Sequence, residues 1–426
     1  MGLSGMSDKM NRRAFLGMTA AGAAGVVLGD LLGKAQVALP TNKAAATTTN
    51  ETLNFYGTHQ TGVVTPAQNF ANVAAFDVTT SDVKELQALM KQWTEMAATL
   101  MAGKPLAVEP QDGAFPPTDT GEQFGLDTGK LTLTFALGAT FFEKEGVDRF
   151  GLRSRKPAGL TEMPIFHKDS LQEQLTHGDI VVQACADDPI ICFHAIRNLT
   201  KAARGVAHLR WQQTGQLGVK SQGTKRNLFG FKDGTANPAL QDETFMKNNV
   251  WIDASDKDSA PWLAGGTYMV VRRIHMRIET WDQQTYSDQE EIIGRQKVSG
   301  APMDGKAEFD TPQFAADAEG KVTALDSHIR LSNPRTGENS ERERILRRGY
   351  NFMDNLDSVG RINAGLLFVC FNRNIQTQFE SIQKRLTNPK MPDQMLAYTD
   401  TTGGGYFAVL PGVSSKGSYL GQTLFE

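Results

Sequence analysis

Over residues 131–137 apolar and polar side chains alternate, Leu131, Leu133, Phe135 and Leu137 against Thr132, Thr134 and Ala136. That period of two predicts a strand with one face covered and one exposed. From Asp82 the period lengthens: Val83, Leu86, Met90, Trp93 and Met96 fall on one helical face, with Glu85 three residues after Asp82 as in a capping box. Residues 72–78 ahead of it read as a strand, and residues 102–130, rich in Pro, Gly and Asp, as a long excursion. Residues 180–185 form the next strand. It leads through Asp187-Asp188-Pro189 into a helix carrying Phe193, Ile196 and Leu199, then into a strand over 207–212. A weak repeat follows: a strand over 366–371, a helix carrying Phe379, Ile382 and Leu386, and a strand over 406–410. This half opens with its own strand over 268–281, with Ile274, Met276 and Ile278 on one face. Both halves approximate β-α-β-β-α-β, the ferredoxin-like pattern. The expected fold class is α+β: two tandem ferredoxin-like halves with antiparallel sheets and helices on one face of each. The expected boundaries are 1–50 for a leader and linker, 51–225 for the first half and 226–426 for the second.

Composition narrows the class. The 426 residues are 40% apolar and carry a formal net charge of −3. That allows two or three ordinary globular domains and excludes disorder or coiled coil as the overall state. There is no basic field for a nucleic acid. Three cysteines, Cys185, Cys192 and Cys370, include no C-x-x-C pair, which removes a disulfide framework, a structural zinc site and covalent c-type haem attachment. The Met-rich stretch over 90–101 reads as helix core.

Near the start, Arg12-Arg13 precedes a modestly apolar, Gly- and Ala-rich run that is uncharged from Ala14 to Gly29 and closed by Asp30. Sixteen residues fall short of the ~20 a bilayer span needs. A paired arginine before such a run is the twin-arginine export pattern. Cleavage would fall at Ala44-Ala45-Ala46 or nearer Ala38, and retention as an anchor is the other reading. The expected location is extracytoplasmic, and this route carries folded proteins, often with a cofactor already loaded.

Three segments could carry chemistry. Asn227-Leu228-Phe229-Gly230-Phe231-Lys232-Asp233-Gly234-Thr235-Ala236-Asn237-Pro238 is a constrained loop in which Asp233 is the one carboxylate. Asp-Gly alone is a common turn, and neither phosphate-binding glycine motif is present. Among seven histidines none has compact metal-ligand spacing; His328 lies in Ser327-His328-Ile329-Arg330-Leu331-Ser332-Asn333-Pro334-Arg335. Read as a strand, that segment turns His328, Arg330 and Ser332 away from Ile329 and Leu331. The others (His59, His167, His177, His194, His208 and His275) read as ordinary polar residues. Third, Arg342, Arg344, Arg347 and Arg348 are interleaved with Glu341 and Glu343. Adjacent strand residues face opposite ways, so one of Arg347 and Arg348 shares a face with Ile345 and needs an anion or a developing charge beside it.

Together these segments resemble the dye-decolourising (DyP-type) haem peroxidases, and within them the exported deferrochelatase/peroxidase subgroup of bacterial ferrous-iron uptake. The likeness runs from Phe55-Tyr56-Gly57-Thr58-His59-Gln60-Thr61-Gly62 to Gly403-Gly404-Gly405-Tyr406-Phe407. Its most specific parts are the G-x-x-D-G loop from Gly230 to Gly234, Asp326-Ser327-His328-Ile329-Arg330, and Leu346-Arg347-Arg348-Gly349-Tyr350. The resemblance implies one non-covalent haem b per chain, between sheet and helices of the C-terminal half. It makes His328 the axial iron ligand and sets the catalytic Asp233 and Arg347 over the opposite face. Gly234, Thr235 and Ala236 would line the pocket, with Asn333, Pro334 and Arg335 beside the porphyrin and its propionates. An acid is also expected just before the Ala364-Gly365-Leu366-Leu367-Phe368 strand; this chain has Asn363, which leaves the partner of His328 open.

The implied activity is reduction of hydrogen peroxide, with iron release from an intact porphyrin beside it, so haem is cofactor and potential substrate. An aspartate base shuttling the peroxide proton is worth about 10²–10⁴ in rate, and a guanidinium stabilises the leaving oxygen. Implied partners are an iron-uptake permease and its companion lipoprotein; a homodimer is compatible. Two other classes remain: a non-catalytic haem- or iron-binding component of an uptake system, which has no use for Asp233 or Arg347, and a ferredoxin-like enzyme without haem.

Overall fold

The computed structural model describes residues 51–107, 113–218, 223–357 and 359–426. The twin-arginine segment lies outside the described residues. The first half runs β1 (Phe70–Val78), α1 (Val83–Met101), β2 (Thr132–Gly138), β3 (Ile180–Ala186), α2 (Pro189–Ala202) and β4 (Ala207–Gln216). The second runs β5 (Thr267–Met276), α3 (Tyr286–Ile293), α4 (His328–Ser332), β6 (Leu346–Arg347), β7 (Tyr350–Leu356), β8 (Ile362–Asn372), α5 (Phe379–Leu386) and β9 (Thr399–Val409). Within each half the strands pair antiparallel in ferredoxin-like order, β2-β3-β1-β4 and β7-β8-β5-β9.

The two sheets are not separate layers. β2 pairs with β9 (Ala136↔Val409) and β4 with β7 (Gln216↔Asn351), so the halves close into one barrel. Its interior holds Val73, Ala75, Val181, Val271, Leu367 and Phe407. A second core, including Phe76, Trp93, Phe135 and Leu199, lies between the outer sheet face and the helices.

Closure explains why β2 is buried along its whole length, where alternation predicted one exposed face. Leu133, Phe135 and Leu137 meet the helices, while Thr132 and Thr134 turn inward. There the Thr134 hydroxyl donates to Thr61 O at 2.8 Å, and Gln68 Nε2 donates to Thr132 Oγ1 at 3.1 Å. Inward polar positions are tolerated because they find partners. α1 begins as expected, with the Asp82 carboxylate accepting from Lys84 N–H. Glu85, however, accepts from the Thr80 hydroxyl, which itself accepts the Asp82 N–H, so the box closes through Thr80.

In the second half the strand predicted to reach residue 281 stops at Met276, and Ile278–Trp281 is a helical turn. Between β5 and β7, where the pattern expects one helix, the chain makes a long excursion that contains α3 and α4. It brings His328 back over the outer face of the C-terminal sheet.

Candidate active site

His328 opens a one-turn helix, not a strand. Asn333 stops it, because the following Pro334 excludes the helical conformation there; Asn333 has φ −148° and ψ 85°. The helical period puts His328 and Ser332 on the cavity wall and turns Arg330 away, onto Asp317 (3.0 Å) and Thr323 O (2.8 Å). Strand alternation would have kept Arg330 beside His328. The His328 Nδ1–H donates to Asp393 Oδ2 at 2.6 Å. Asp393 is buried and also accepts from the Met395 N–H at 2.9 Å, while about a quarter of the His328 side chain opens to the cavity. Burial works against the imidazolium, but the charge and hydrogen bond of Asp393 outweigh it and raise the pKa above its ordinary value. With Nδ1 committed, Nε2 is the nitrogen left to bind a metal. Asn363 has no part in this: its side chain accepts from Arg273 at 3.1 Å.

The loop bearing Asp233 is held at several points. Asn227 Oδ1 accepts from Phe229 and Phe231 N–H, and Phe229 stacks on buried Trp281 with ring centroids 4.4 Å apart. The Asp233 N–H donates to Lys225 O at 2.8 Å. Glu308, from the excursion, receives Lys232 and the Thr235 hydroxyl. Gly234 has φ +123°, a conformation that side chains disfavour.

Arg347 comes from the two-residue strand β6, and its Nη1 donates to Asp233 Oδ1 at 2.8 Å. As the alternation argument required, the two arginines part. Arg347 shares the cavity wall with Ile345, and Arg348 is buried on the other side, donating to Gln68 and Thr65 O. The anion that Arg347 needs is Asp233.

Asp233, Gly234, Thr235, Ala236, His328, Asn333, Pro334, Arg335 and Arg347 all line one cavity of about 1640 Å³, measured out to its open mouth. The cavity lies between the sheet, through Ile274, Leu366 and Phe368, and α5, through Ile382 and Gln383. Seven Lys and Arg face three carboxylates around it. Arg335 has no ion pair among the described residues; burial, then the charges of Arg295 and Arg344, push its pKa down to about 10. Such a wall favours a largely apolar ligand that also carries anionic groups. Asp393 and Glu308 were missed by sequence reasoning, since lone acids in irregular segments carry no local signal.

The Dyp-type peroxidase N-terminal model matches residues 60–216 and the Dyp-type peroxidase C-terminal model residues 224–414. The chain belongs to the Dyp-type peroxidase family. A deferrochelatase of Escherichia coli (strain K12) is 40% identical over 383 residues, covering 88% of each chain. Among solved structures, a DyP-type peroxidase from Cellulomonas bogoriensis is similar with a TM-score of 0.78 and 36% identity, covering 88% of this chain and 99% of that one. Ferric DtpA from Streptomyces lividans matches with the same TM-score at 32% identity, over 88% and 97%. As a Dyp-type peroxidase the chain is an enzyme. The ferredoxin-like halves expected from sequence are those of its family, here joined by barrel closure.

Proposed function

We propose that this chain is an exported haem b peroxidase that reduces hydrogen peroxide and also releases iron from haem with the porphyrin left whole, serving iron acquisition. One observation carries the reading: the His328–Asp393 pair and the Asp233–Arg347 pair stand on the wall of the same apolar, cation-rimmed cavity. The residues fit a single haem held without covalent bonds. His328 Nε2 would take the iron, Ile274, Ile329, Leu366 and Phe368 would pack against the ring, and Arg335 with Asn333 would meet the propionates. Bound haem supplies the iron at which the peroxide O–O bond is cleaved. Asp233 takes the proton from one peroxide oxygen and returns it to the other, and Arg347 stabilises the charge that builds on the leaving oxygen.

The name of the Escherichia coli relative, at 40% identity over most of both chains, supports the iron-releasing activity. Export rests on Arg12-Arg13 and the apolar run behind them, and delivery to a permease and its companion lipoprotein rests on the resemblance to the ferrous-iron-uptake subgroup.

Haem titration should give a Soret band that His328→Ala abolishes; an unchanged band in that variant overturns the reading. Incubation of the loaded protein under reducing conditions should release fluorescent metal-free protoporphyrin. If none appears while peroxide turnover is intact, the iron-releasing half fails alone. Asp233→Asn turning over peroxide as fast as the parent would leave a haem carrier as the better description.

A further inference from the structure

Among the described residues β6 pairs only with β8, where Arg347 lies opposite Cys370 and the neighbouring Arg348 N–H donates to Val369 O at 2.7 Å. Alternation along the strand therefore turns the Arg347 N–H and C=O outward. One side chain meets both: the Arg347 N–H donates to Asn237 Oδ1 at 2.9 Å, and Asn237 Nδ2 donates to Arg347 O at 2.8 Å. A carboxamide is the uncharged side-chain group that offers a donor and an acceptor side by side, so it stands in for a peptide of a missing strand. Asn237 lies four residues after Asp233, and its own N–H closes a turn onto Gly234 O at 2.8 Å. It thus joins the segment bearing the carboxylate to the backbone bearing the guanidinium.

The side-chain contact alone is a weak tether. Arg347 and Asp233 are each about a quarter exposed in their side chains, and solvent-accessible ion pairs hold little by themselves. Behind them a second, smaller cavity is lined by Asp233, Asn237, Arg347 and Arg348. The guanidinium therefore has somewhere to go. The ion pair is also lost at the moment it matters, when Asp233 takes up the peroxide proton.

We propose that Asn237 is a positioning residue that keeps Arg347 over the main cavity while Asp233 is protonated. The inference rests on the peroxidase reading above and assigns to Asn237 no contact with substrate. Removing the amide should leave the haem in place and slow only the step that needs both groups.

The test compares parent, Asn237→Ala and Asn237→Asp, each loaded with haem. Asn237→Ala should keep the parent Soret band and lose about 10- to 100-fold in its second-order rate with hydrogen peroxide, the scale of a misplaced catalytic group. Its affinity for cyanide, which sheds a proton and then faces the same guanidinium without turnover, should fall at least fivefold. Asn237→Asp keeps the acceptor and loses the donor, so it should lie between the two. It also serves if the alanine variant does not fold. A folded alanine or aspartate variant with parent-like haem, peroxide rate and cyanide affinity within twofold overturns the proposal. A parent that takes up no haem would instead overturn the peroxidase reading. The clamp would then be read from exchange of the Arg347 amide, expected at least tenfold faster in Asn237→Ala; unchanged exchange would refute it.

Discussion

Proton transfer within bound peroxide needs a base on the cavity wall, and Asp233 stands there in contact with the Arg347 guanidinium. Asp233→Asn should cost about 10²–10⁴ in turnover with the Soret band retained, as stopped-flow mixing with peroxide would show. The other charged pair acts on the imidazole proposed to hold the iron. Asp393→Asn replaces a carboxylate acceptor with a neutral amide, so haem affinity should fall about 10- to 100-fold in a Soret-monitored titration. The roles of His328, Asp233 and Arg347 could be proposed from motifs, because their neighbours in sequence are distinctive. Asp393 could not, since 65 residues separate it from the ring it holds.

Elements shorter than two turns decide where those residues point. α4 has only five residues, and whether 328–332 is helix or strand settles whether Arg330 joins Ser332 beside His328 or turns away to Asp317. Gly234 does similar work in the loop. A Cβ there would meet nothing closer than Thr224 Cγ2 at 3.7 Å, so the obstacle is its φ of +123° and not space. Gly234→Ala should therefore destabilise by about 1–3 kcal/mol, read as a lower denaturant midpoint at unchanged m-value. In the first half, the excursion after α1 is tied to α2 through Glu122, which receives the Thr120 hydroxyl, His194 Nδ1 at 2.8 Å and Arg197. Burial tends to raise its pKa, but these hydrogen bonds prevail and bring it from 4.5 down to about 2. A depressed folded-state pKa means stability that is complete above pH 4.5 and is lost as pH falls toward 2. Glu122→Gln should remove that part of the acid sensitivity, seen as a smaller loss of stability between pH 4.5 and 2 in chemical denaturation at successive pH values.

At the scale of the whole molecule, β2–β9 and β4–β7 pairing leaves neither half with a free sheet to itself. Expressed alone, residues 51–225 would expose β2 and β4 as unpaired edges, together with the barrel-facing side of the sheet. We expect that fragment to be insoluble, and residues 51–426 to unfold in one calorimetric transition; two separated transitions would show independent halves. Closure also fixes the site. β5 and β9, which wall the cavity through Ile274 and Thr401, are held in register with the first half through Ala136 and Val409.

Sequence alone determined the strand-and-helix order of the first half, the closing strand, helix and strand of the second, and the three segments that meet at the cavity. Those follow from local periodicity and from residue types with few uses, which neighbours in the chain are enough to specify. Only the tertiary structure decided that two sheets become one barrel, that β2 has no exposed face, that Asp393 rather than residue 363 holds the imidazole, and that Asn237 completes the edge of β6. Each of these is a pairing between groups far apart in sequence. It depends on which hydrogen-bonding partners burial leaves available, a quantity that no local pattern encodes.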